Sequence, residues 1–123
     1  MRANKPKILI VDDHKDFTMV TKRALTEYDF CEENDSSGAV ETARRYRPDL
    51  ILLDVNMPYV DGGDIAAQIR ADSEMKNIPI VFLTGMVTEE EAAKRPLMGG
   101  FPFISKPVNR EKLVQHIEKY LPA

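Results

Sequence analysis

The chain has 123 residues, 43% of them hydrophobic and 30% charged, the mix of one soluble globular domain whose core needs no staples. Residues 1–123 are therefore expected to form a single domain, with nothing left over for an effector domain. Its one cysteine, Cys31, excludes an intrachain disulfide or a cysteine-based metal cluster, and one thiol agrees with a cytoplasmic setting. The longest apolar runs are far shorter than the ~20 residues of a membrane span, and the polar start, Met1 to Lys7, carries no apolar signal segment. A net charge of −3 favours neither nucleic acid nor acidic lipid as a direct partner.

Ile8-Leu9-Ile10-Val11 is apolar without alternation, the pattern of a parallel strand buried on both faces. Phe17, Val20, Thr21, Ala24, Leu25 and Tyr28 then follow the rhythm of one helix face. The more polar segment Phe30-Cys31-Glu32-Glu33 suits an edge strand, with Cys31 a small buried hydrophobe. Ala39, Val40 and Ala43 make a short second helix, stopped at Arg47-Pro48. Leu50-Ile51-Leu52-Leu53 is the next strand, Ile65, Ala66 and Ile69 the next helix stripe, and Ile80-Val81-Phe82-Leu83 the next strand.

Thr88 and Glu91 have the spacing of a capping box. Pro96 follows too soon for a long helix, so this fourth helix should end near Arg95, with Ala92, Ala93 and Leu97 as its few apolar residues. Phe101-Pro102-Phe103-Ile104 reads as a last strand, and Pro102 requires it to be a sheet edge. Leu113, Val114, Ile117 and Leu121 form the final helix, capped by Asn109 and stopped by Pro122. The sum is an α/β, (βα)5 chain: a doubly wound parallel sheet with helices on both faces.

In such a sheet ligands gather at the carboxyl ends of the strands. That edge collects Asp12 and Asp13, Asp54, Thr84 and Lys106. Singly, an aspartate after a strand is more often a cap or turn residue; together, three carboxylates on one spot repel and are tolerable around a hard divalent cation such as Mg²⁺. A metal, an ammonium and a hydroxyl around a carboxylate meet the needs of an incoming phosphoryl group, with the carboxylate as nucleophile. His14, beside the acidic pair, has no second histidine at ligand spacing and reads as a surface residue opening the first helix.

These pieces resemble the receiver domain of two-component response regulators, of the chemotaxis-Y-like kind, over Lys7 to Leu121. The resemblance rests on Ile8-Leu9-Ile10-Val11-Asp12-Asp13, on Pro48-Asp49-Leu50-Ile51-Leu52-Leu53-Asp54-Val55-Asn56-Met57-Pro58 with Asp61-Gly62, on Leu83-Thr84-Gly85 and on Lys106-Pro107. It implies a flavodoxin-like sheet of order 2-1-3-4-5. It also implies a switch, not an enzyme acting on other substrates, in which Asp54 accepts a phosphoryl group from a sensor histidine kinase or phosphotransfer protein and signals to a downstream protein target. Asp13 and Asp54 would hold Mg²⁺ by side chains, Asn56 by its backbone carbonyl and Asp12 through water. Thr84 and Lys106 would hold the phosphoryl oxygens, and Phe103 falls at the aromatic switch position, without the hydroxyl of the commoner tyrosine. Two other classes fit less well. A constitutive interaction module would not need Asp54, the acidic pair and Lys106, and an aspartate-nucleophile phosphatase wants a carboxylate at position 56, where Asn stands.

Overall fold

The computed structural model describes residues 5–54, 62–84, 97–98, 101–105 and 109–122. Their order is β1 (Lys7–Val11), α1 (Lys15–Ala24), β2 (Asp29–Glu33), a 3₁₀ turn (Ser36–Gly38), α2 (Ala39–Tyr46), β3 (Leu50–Asp54), α3 (Gly62–Ala71), β4 (Ile80–Thr84), β5 (Leu97–Met98), β6 (Phe101–Ser105) and α4 (Arg110–Tyr120). The sheet order is β2-β1-β3-β4-β6-β5. The first five strands of that list pair in parallel, which is the expected flavodoxin-like 2-1-3-4-5 arrangement.

The three apolar runs form the centre because each residue finds a buried neighbour on one face or the other. Leu9, Val11, Ile51, Leu53, Ile80, Phe82 and Phe103 join Ala39 and Ala43 of α2 and Ile65, Ala66 and Ile69 of α3. The alternate residues, Ile8, Ile10, Leu50, Leu52, Val81, Leu83 and Ile104, join Leu25 and the α4 residues Leu113 and Ile117. This two-sided burial is why the runs do not alternate with polar residues. β2 lies at the edge as its composition suggested, and Cys31 is only partly buried there.

Three expectations are corrected. The α1 stripe is only partly as expected: Thr21, Leu25 and Tyr28 are buried and Phe17 packs on the core, but Val20 is 61% exposed and Ala24 is exposed, while Thr18 is the helix's other buried residue. The helix stops at Ala24, so Tyr28 reaches the core from the following turn, with its hydroxyl on Glu118 of α4. Leu97 belongs to a strand, not to a fourth helix. And β6 is not a simple edge, because β5 pairs antiparallel with its first residues, Leu97 opposite Pro102 and Met98 opposite Phe101. Pairing with β4 starts only at Phe103, so Pro102, which lacks an N–H, lies ahead of the parallel ladder. The expected capping box at Thr88 and Glu91 and the helix end near Arg95 lie outside the described residues. Asn109 caps α4, accepting from the Lys112 N–H at 2.8 Å.

Candidate functional site

Register brings the acidic residues together. Val11 lies opposite Leu53 on adjacent parallel strands, so the next residue on each strand is an aspartate, Asp12 and Asp54. Asp54 in turn lies opposite Leu83, one residue before Thr84. Both carboxylates are nearly inaccessible, Asp12 at 0% and Asp54 at 2%. Asp13 is half-buried at the first turn beyond β1. One ligand atom from each of Asp12, Asp13, Asp54 and His14 fits within a group whose members all lie within 4.8 Å of one another.

Local bonds fix the turn. Asp12 Oδ1 accepts the His14 backbone N–H at 3.0 Å and lies 2.9 Å from His14 Nδ1. The Asp12 N–H donates to the Glu33 carbonyl at 3.1 Å. Asn34, just past β2, donates from Nδ2 to the Asp12 carbonyl at 2.8 Å and to Thr18 Oγ1 at 3.0 Å. A cleft of about 610 Å³ opens beside Asp13, lined by Lys15, Glu32, Asn34 and Ser36 among others.

Mg²⁺ fits this donor set on the residues present. Asp13 Oδ1 is buried without a hydrogen-bond partner among the described residues, a costly state that a cation relieves. The donors are hard carboxylate oxygens, the chemistry Mg²⁺ takes, and the adjoining cleft leaves room for the waters it keeps.

Of the residues singled out in the sequence, Asp12, Asp13 and Asp54 are assembled. Thr84 ends β4 opposite Ser105. Phe103 is buried, 6% exposed, in the α2/α3 core layer. Asn56 and Lys106 lie outside the described residues. Sequence reasoning missed Asn34, whose only signal was an amide at the carboxyl end of a strand. It also set His14 aside: the ring is 68% exposed, as a surface residue's would be, yet it is turned onto both aspartates of the pair.

The family model for the response regulator receiver domain matches residues 8–118. The chain belongs to this family. The receiver is similar to the chemotaxis response regulator CheY4 of Vibrio cholerae, at 28% identity and a TM-score of 0.82, covering 96% of this chain and 100% of that one. It is also similar to the receiver domain of the sensor histidine kinase PA1611 from Pseudomonas aeruginosa PAO1, at 27% identity and a TM-score of 0.79 over 95% of this chain and 98% of that one; that structure has a magnesium ion coordinated in its active-site cleft. The hybrid signal transduction histidine kinase D of Dictyostelium discoideum is 32% identical over 115 residues, 93% of this chain, and the match spans only 7% of that relative's length. The receiver is thus a signalling module of the two-component type. Among its described residues no helix is long and apolar enough to cross a membrane.

Proposed function

We propose that this receiver is a cytoplasmic switch phosphorylated on Asp54 by a phosphohistidine of a sensor histidine kinase or phosphotransfer protein. The observation that carries the reading is the convergence of Asp12, Asp13 and Asp54 at one strand edge, with a buried Asp13 oxygen lacking a hydrogen-bond partner among the described residues. One Asp54 carboxylate oxygen attacks phosphorus. The P–N bond of the donor breaks, its electron pair returns to the imidazole nitrogen, and an acyl phosphate remains on Asp54. Asp13 and Asp54 would hold Mg²⁺ by their side chains, Asp12 through water and Asn56 by its backbone carbonyl, and the ion would supply charge neutralisation for the phosphoryl oxygens. Thr84 donates its hydroxyl and Lys106 its ammonium to those oxygens, and Thr84 and Phe103 transmit the change to an output surface read by a downstream protein. Residues 1–123 act in this as one domain.

Incubation with a small-molecule phosphodonor and Mg²⁺ is expected to add one phosphoryl group by intact mass, base-labile and absent without Mg²⁺. Asp54→Asn and Asp54→Ala are expected to remain unmodified, since an amide or methyl is no nucleophile here. An adduct that persists in Asp54→Ala overturns the assignment.

A further inference from the structure

We propose that His14 is an additional ligand of this metal site, giving it a mixed nitrogen and oxygen donor set that prefers late first-row transition ions over Mg²⁺. The inference deepens, and rests on, the reading of Asp12, Asp13 and Asp54 as a metal site.

Three observations carry it. His14 is the N-cap residue of α1, in extended conformation, yet its side chain makes no capping bond. The imidazole that could serve the helix is turned the other way, onto the carboxylates. Its Nδ1 lies 2.9 Å from Asp12 Oδ1 and 3.4 Å from Asp13 Oδ1. Two neighbouring ligands at about 2.1 Å from one octahedral ion stand about 3.0 Å apart, so these separations match the edges of a coordination polyhedron in which Asp12 Oδ1, with Nδ1 beside it, would bind the ion directly rather than through water. Finally, the Asp13 Oδ1 that faces Nδ1 is a buried oxygen without a hydrogen-bond partner among the described residues.

The chemistry follows from donor type. Carboxylate, carbonyl and water donors suit Mg²⁺ and Mn²⁺, whereas imidazole adds little for those ions and much for Ni²⁺, Cu²⁺ or Zn²⁺. With Nδ1 as ligand the proton sits on Nε2 of an exposed ring, which gives Nε2 a water partner. The structural alternative is an imidazole that only hydrogen-bonds Asp12 and so holds the β1–α1 turn.

Dissociation constants for Mg²⁺, Mn²⁺ and Ni²⁺ would be measured by calorimetry on the wild type and on His14→Gln, which retains a donor for Asp12 but is a poor ligand. Ni²⁺ is expected to lose about tenfold or more in the variant and Mg²⁺ less than twofold. Pulsed EPR of the Mn²⁺ form should show an imidazole nitrogen coupling in the wild type that vanishes in His14→Gln. No nitrogen coupling in the wild type, or equal losses for Mg²⁺ and Ni²⁺, overturns the proposal. Failure of Mg²⁺ alone to bind the wild type would sink the Mg²⁺ reading and leave the His14 ligand standing; failure of all three ions would sink both.

Discussion

The side chain of Asn34 donates a hydrogen bond at 2.8 Å to the main-chain carbonyl of Asp12. The two residues stand at the carboxyl ends of adjacent strands, and the same amide nitrogen also reaches Thr18 Oγ1 on α1. Three segments that meet at the acidic site are thereby tied through one side chain. Asn34→Ala is expected to cost about 1 kcal/mol of stability for the lost bonds and to weaken Mg²⁺ binding about tenfold, as removal of an outer support commonly does. Asn34→Asp should cost more stability in the metal-free protein, because it sets an acceptor against a carbonyl and adds a carboxylate to an acidic site. Urea unfolding and calorimetry check the two effects. Unchanged Mg²⁺ affinity in Asn34→Ala would show that the tie serves the fold alone.

The orientation of α1 makes a contrast in stability. Val20 is 61% exposed and Leu25 is 1% exposed, although the helical rhythm places both on one apolar stripe. Val20→Lys is expected to change unfolding free energy by no more than about 0.5 kcal/mol, and Leu25→Ala to cost roughly 2–5 kcal/mol through the cavity it leaves. Denaturant midpoints decide it; a large loss in Val20→Lys would mean that the stripe packs as its spacing alone suggests.

The turn after α3 predicts an acid-dependent contribution. The Arg44 guanidinium, 3.0 Å from Asp72 Oδ2, together with the backbone N–H of Glu74 at 2.8 Å, holds the Asp72 carboxyl below its ordinary value of 3.8. A carboxyl depressed in the folded state contributes stability that is present above its unfolded value and is lost as pH falls through the lower folded value. The stability gap between wild type and Asp72→Asn should therefore be constant from pH ~7 to ~5 and shrink below about 4. Arg44 and Asp72 are on the surface, so added salt should narrow the gap at neutral pH. A gap independent of pH down to ~3 would show that the ion pair carries none of it.

The strands and the acidic edge were legible in the residues themselves. Short continuous apolar runs suit a central strand covered on both sides, and each such run ended where chemistry began: Asp12, Asp54 and Thr84. Once parallel pairing put Val11 beside Leu53, the two aspartates had to be neighbours. Periodicity also located α2, α3 and α4, since Ala43, Ile65, Ala66, Ile69, Leu113 and Ile117 are all buried.

What the residues left open depended on distant partners. Apolar spacing marks a stripe on α1 but not its rotation about the helix axis; that is set by the neighbouring elements, including the bond from Asn34 that draws Thr18 inward. Leu97 and Met98 carry no strand pattern, and their pairing with Pro102 and Phe101 depends on a hydrogen-bonded edge that β6 supplies. His14 is a helix-opening residue by position and becomes part of the acidic site only because its ring turns onto carboxylates brought together by β1 and β3. Local pattern determined which segments are strands and helices, because burial of a run depends on its own composition. The tertiary structure decided which side chains meet at their ends, because those contacts join residues far apart in the chain.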